Sequence, residues 1–183
     1  MSSCLGSCSE GSNHNESVFK LFHNLGRIKE RSEKRLSELG IAFNKDLPVL
    51  ERINGKKSRS SREIARRIIA LWEVVNSATN GNRATKAESV GFLKDIGLWN
   101  GLPSSEKKFL EDETVDKQSV INFTWRTEVL KVLYWSISEI DELEEPIEEK
   151  HLLKVNEAVL NKYPTIESFI ESVRLRNFQE ILS

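Results

Sequence analysis

The chain has 183 residues, 38% of them hydrophobic and 30% charged, with a formal net charge of −1. One globular domain is the prior at that length, with enough chain to bury roughly 70% of the surface an unfolded polymer exposes. A near-neutral total excludes a partner recruited by global charge, and no run approaches the roughly 18 consecutive apolar residues of a membrane-spanning helix.

Charge is unevenly spread. Residues 1–91 hold 16 Lys and Arg against 10 Asp and Glu, whereas residues 92–183 hold 11 against 18. Cys4 and Cys8 are the only cysteines, too close together and too near one end for a disulfide framework. The first 15 residues, MSSCLGSCSEGSNHN, lack the apolar core of a signal peptide. They read as a disordered leader on a protein of the reducing cytoplasm.

From residue 16 onward the pattern is helical. Val18, Leu21, Phe22, Leu25 and Ile28 recur at three- and four-residue spacing, which lines one helix face. Gly26 could divide that run in two, and Gly40 supplies a stop. Residues 41–58 read as a connector, with Leu47-Pro48 and Asn54-Gly55 as breakers. Ser60 and Glu63 form a capping box ahead of Ile64, Ile68, Leu71, Trp72 and Val75 at core spacing. Thr85 and Glu88 read as a second box, opening a short helix closed by Gly97. Leu102-Pro103-Ser104 leads into another, carrying Phe109 and Leu110. Asp116 caps the most apolar stretch, residues 117–143, in which Ile121, Trp125, Val129, Val132, Leu133, Trp135, Ile137 and Ile140 cover more than one face. That breadth predicts the central helix of the domain. Pro146 ends it, and helices over 147–162 and 165–182 follow, the last capped by Thr165. No alternating strand pattern occurs. The expected fold is all-α, a single irregular bundle of about seven helices over residues 16–183.

The sequence is poor in chemistry. His14, His23 and His151 have no partner at ligand spacing. Ser104 and Lys107 have the spacing of a Ser-x-x-Lys nucleophile pair but no companion motif. No glycine-rich phosphate loop is present, and the acidic run Glu139, Asp141, Glu142, Glu144, Glu145, Glu148 and Glu149 lacks calcium-loop spacing. Neither a metal nor a cofactor is expected. The densest basic segment is Lys56, Lys57, Arg59, Arg62, Arg66 and Arg67. It could hold phosphates, but no aromatic residue is interleaved to stack on bases, so a solvated face is the plainer reading.

Arg126 and Glu128 lie in the helix expected to be central, where a buried charge requires a partner. Pairing of Arg126 with Glu63, or of Glu128 with Arg66, would dock two helices. The same four side chains are the candidates for a charged ligand pocket.

Taken in order, Ser60–Arg67 with Ala70-Leu71, Leu102-Pro103-Ser104-Ser105-Glu106 with Phe109-Leu110, and Trp125-Arg126-Thr127-Glu128 with Leu133 and Trp135, then Leu143 and Pro146, resemble the uncharacterised, mainly bacterial family called domain of unknown function 4272. The resemblance runs from about residue 27 to the C-terminus and rests on the order and spacing of the motifs. Members usually continue past the segment that resembles Arg176–Leu182, which implies a shortened member or one lacking a final element. The resemblance implies a helical fold and supplies no catalytic residue. What remains is a non-enzymatic module that binds another protein through an apolar or charged surface, with the basic segment and the acidic run as contact candidates. The alternatives are a small-ligand protein or enzyme using Glu63, Arg66, Arg126 and Glu128, and nucleic-acid binding through residues 56–67.

Overall fold

The computed structural model describes residues 11–47, 59–80, 82–114, 116–143, 156, 159, 161–177 and 180. The chain divides into two compact units, residues 1–57 with 178–183, and residues 58–177. Among the described residues every regular element is helical, so the protein is all-α.

In the first unit, α1 runs from Gly11 to Glu38 without a break at Gly26. It begins inside the stretch read as a leader. Gly40 ends it at φ +70°, with Ile41 N–H donating to Leu36 O and Gly40 N–H to Ser37 O. That pair of bonds is a Schellman stop, which needs the left-handed residue that glycine adopts without steric cost. Lys29 Nζ donates to Lys45 O at 3.0 Å, tying the following turn back to the helix.

The second unit is organised by α2, Ser61–Asn80. Its start follows from the sequence: Ser60 N–H donates to Glu63 Oε2 at 2.7 Å, and Glu63 N–H to Ser60 Oγ at 3.3 Å. Two free backbone donors are thereby satisfied reciprocally. Ala65, Ile68, Ile69, Ala70, Leu71, Val74, Val75 and Ala78 are all buried, on more than one side of the helix, as a central place in the unit requires. Full burial of Ile68 or Leu71 stabilises by roughly 1.5–3 kcal/mol each.

Around α2 pack α3 (Arg83–Asp95), α4 (Ser104–Glu111), α5 (Lys117–Thr124), α6 (Thr127–Ser136) and α7 (Ile166–Ser172), with a 3-10 turn at Trp99–Gly101. One cluster joins Ile68, Leu71 and Val75 to Leu130, Tyr134, Ile137, Val159, Phe169 and Val173. A second joins Ala70, Val74 and Ala78 to Leu93, Leu102, Phe109, Leu110 and Phe123.

Three local expectations change. The cap of α3 is Asn82, whose Oδ1 accepts from Thr85 N–H at 2.8 Å, so the helix starts before Thr85. Residues 117–143 are not one central helix. They form α5 and α6, separated at Trp125 and Arg126. Thr124 Oγ1 donates to Val120 O at 2.9 Å, and Thr127 Oγ1 donates to Thr124 O. Threonine back-bonding of this kind competes with the helical ladder and bends it. Arg126 and Glu128 N–H groups accordingly bond three residues back, to Phe123 O and Trp125 O. The centre passes to α2, and Ile121, Trp125, Val129 and Val132 are exposed rather than core. The last expected helix is shorter than 165–182. Thr165 and Ser168 form its capping box, but it ends at Ser172 with Val173 extended. Of the helix expected over 147–162, Asn156 and Val159 are described, both helical and buried, while 161–162 form a turn. Pro146 lies outside the described residues.

Gly97 ends α3 with a second Schellman stop, at φ +69°: Leu98 N–H donates to Leu93 O and Gly97 N–H to Lys94 O. A third ends α6, where Glu139 N–H donates to Tyr134 O and Ser138 N–H to Trp135 O. Its left-handed residue is Ser138, at φ +61°, a conformation that costs a β-carbon-bearing residue roughly 1–2 kcal/mol. Arg176 reinforces that end. Its Nε donates to Trp135 O and its Nη2 to Ile140 O, both at 2.7 Å, while its N–H donates to Ser136 O at 2.9 Å.

Candidate functional site

Glu106 lies in the first turn of α4, on the face shared by Phe109 and Leu110 three and four positions later. That spacing carries its carboxylate inward with the core residues, and it is wholly buried. A buried carboxylate is costly unless its oxygens are bonded to charge. Here both are. Arg67 of α2 forks onto it, Nη1 to Oε2 at 2.7 Å and Nη2 to Oε1 at 2.6 Å. Arg126, at the α5–α6 junction, donates Nη1 to Oε1 at 2.6 Å. The two-bond fork matches guanidinium to carboxylate geometry, and the first turn of a helix favours an anion.

The triad is asymmetric in exposure and charge. Arg67 keeps 25% of its side chain accessible and Arg126 35%, against none for Glu106. Two guanidiniums share one carboxylate, leaving one positive charge at a partly open surface. Arg126 also lies over the Phe123 ring at 4.9 Å. Phe123 contacts Phe109 with centroids 4.4 Å apart, and Lys86 Nζ sits 4.2 Å over Phe109. The buried Lys86 donates to Asp112 O at 3.1 Å, at the C-terminal end of α4 where a cation meets the helix dipole favourably. Hydrogen bonds from the Thr114 hydroxyl and N–H, with lesser help from Lys86 and Lys108, hold the exposed Asp112 carboxyl below its ordinary range.

A second polar node links α2 and α3. The buried Ser77 Oγ donates to Ser89 Oγ at 3.0 Å, and Ser89 Oγ to Glu73 Oε2 at 2.7 Å. Burial pushes the Glu73 carboxyl up, against the lowering effect of the Ser89 bond. In the acidic run, Glu139 accepts from the Tyr163 hydroxyl and from Lys162 Nζ, the latter at 3.0 Å. Burial, then the neighbouring Glu139, raises Tyr163 to about 12.

The ion pairs differ from those expected. Arg126 meets Glu106, not Glu63, which turns back onto Ser60 as a cap. Glu128 meets Lys131 of its own helix at 2.8 Å, not Arg66, which is exposed. Arg59 and Arg62 are exposed, Arg67 is engaged by Glu106, and Lys56 and Lys57 lie outside the described residues. Of the acidic run, Asp141 and Glu142 are exposed, and Glu144, Glu145, Glu148 and Glu149 lie outside the described residues. Lys107 donates to Asn100 O, the carbonyl of the 3-10 turn, at 3.3 Å. Among the described residues no group of three or more His, Cys, Asp or Glu is placed to hold a metal ion, and no helix is long and apolar enough to cross a membrane.

The feature that sequence reasoning missed is apolar. Trp125 is 65% exposed, and Ile121, Val129 and Val132 are each about half exposed. Ile121 and Trp125 lie one turn apart at the end of α5, where Trp125 N–H donates to Ile121 O, and Val129 and Val132 are three positions apart on α6, so the row runs across the α5–α6 junction. Arg126 precedes Val129 by three positions, which makes it a neighbour on that helix surface.

The family described as Domain of unknown function (DUF4272) matches residues 28–183. The chain belongs to this family. The match covers all of the second unit and, in the first, most of the segment from α1 onward. No curated protein and no solved structure matches the chain.

Proposed function

We propose that this DUF4272 protein is a non-enzymatic protein-interaction module whose contact surface is the row Ile121, Trp125, Val129 and Val132. The exposure of that row carries the reading. Scattered single apolar residues on a surface need no explanation, but four in succession along two adjoining helices mark an interaction surface. An exposed tryptophan at its centre supplies the residue type that most often dominates binding energy. The α5–α6 rod is fixed from behind, by Phe123 and Leu130 in the two cores and by Arg126 on Glu106. Such a surface is presented without a large ordering cost on binding.

Photo-crosslinking amino acids placed at positions 121 and 132 in living cells test this reading. Discrete protein adducts are expected at both positions, and they should disappear with Trp125→Ser. Crosslinking no stronger than at the exposed control position 88, on α3, would overturn it.

A further inference from the structure

We infer that the occupant of the row is an acidic amphipathic helix of a partner protein, an inference that rests on the interaction reading above. An apolar ridge on an exposed helix is complemented by a helix that lays its own apolar stripe along it. The sign of the partner follows from the charges bordering the row. On one flank, Arg67 and Arg126 share the single carboxylate of Glu106. Those bonds use Nη1 and Nη2 of Arg67 and Nη1 of Arg126. Arg67 Nε and Arg126 Nε and Nη2 have no partner among the described residues, and both side chains are partly open to solvent.

At the head of the row, Lys117 is exposed, four positions before Ile121, and forms no ion pair among the described residues. Its neighbour Asp116 is turned onto the Gln118 and Ser119 N–H groups as the cap of α5. On the other flank, Glu128 and Lys131 cancel one another. Asp116 keeps its charge as a cap and offsets Lys117, so the border carries one net positive charge, at the Arg67–Glu106–Arg126 group. A carboxylate one helical turn from a partner's apolar stripe would meet the free edge of Arg126, and another would meet Lys117. A basic or neutral helix would leave those donors without an anion.

Selection of a random 16-residue peptide library on the full-length protein tests the inference. The expected sequences carry apolar residues at three- and four-residue spacing and an excess of Asp and Glu. Their binding should fall roughly 30-fold or more with Trp125→Ser and roughly three- to tenfold with Lys117→Glu. It should also weaken as salt rises from about 50 to about 300 mM. Both substitutions lie on exposed side chains outside the two cores, so folding is retained and is checked by circular dichroism. Trp125-dependent peptides that are neutral or basic would overturn the acidic occupant and leave the interaction reading standing. The absence of any Trp125-dependent peptide would overturn both. Self-association in sedimentation that Trp125→Ser abolishes would identify a second copy as the occupant and overturn this inference alone.

Discussion

Against one side of α2, α6 and α7 set Leu130, Tyr134, Ile137 and Phe169, large side chains with almost no exposed surface. Against the other, α3, α4 and α5 set a smaller apolar cluster with the charged groups of Glu106 and Lys86 buried beside it. Helices α4 and α5 have eight residues each, below the length at which a helix holds itself together in water. Apolar burial drives them onto α2, but it is non-directional. The Arg67–Glu106–Arg126 bonds are directional and fix their placement. One side is thus held by volume and the other by geometry, and the two should fail differently.

Phe169→Ala should be the most damaging single change. It empties a fully buried ring position and should cost about 3–5 kcal/mol, read as a lower denaturant midpoint with an unchanged slope. Glu106→Ala should cost about 3 kcal/mol, the partial exposure of both arginines keeping it near the lower end of the range for a broken buried pair. Within the triad, Arg67 makes two of the three bonds. Arg67→Met should therefore cost about 2 kcal/mol and Arg126→Met about 1 kcal/mol. Equal losses would show that the fork confers no advantage. A double-mutant cycle on Arg67 and Glu106 should show coupling, and additivity there would remove the geometric account of this side.

The halves also differ in how far they could be read from sequence. The start of α2 was legible because Ser60 and Glu63 spell a reciprocal cap, and the ends at Gly40 and Gly97 because glycine alone enters the left-handed region freely. The α5–α6 break was not legible from hydrophobic spacing, because the apolar pattern runs straight through Trp125. Its cause is the hydrogen bonding of Thr124 and Thr127, a signal carried by two short polar side chains. The partner of Arg126 was missed for a related reason. Glu106 was not among the partners expected for Arg126, although an acid three and four positions before Phe109 and Leu110 sits on the apolar face. With the rod wrongly central, Trp125 fell into a core it does not enter.

Smaller effects sharpen the contrast further. Burial raises the Glu73 carboxyl in the folded protein, so its contribution to stability is fully present below the ordinary carboxylate value of about 4.3 and is lost as pH rises through the raised value. Glu73→Gln should abolish that decline, making stability flatter between pH 4 and the neutral range in denaturation series. A steeper decline in the variant would reverse the assignment. Ser138→Gly should stabilise by about 0.5–1 kcal/mol, relieving the left-handed strain while adding some freedom to the unfolded chain. A loss would mean that the serine has a stabilising role beyond the stop.

Arg176 joins the end of α6 to a segment some forty residues further along the chain. Closing so wide a loop is entropically unfavourable until the intervening helices have collapsed. The clasp should therefore be absent from the folding transition state and complete only in the native one. Arg176→Met would then leave the refolding rate nearly unchanged and accelerate unfolding, a signature visible in the two arms of a chevron plot. The residue sets how long the native state persists rather than how quickly it is reached.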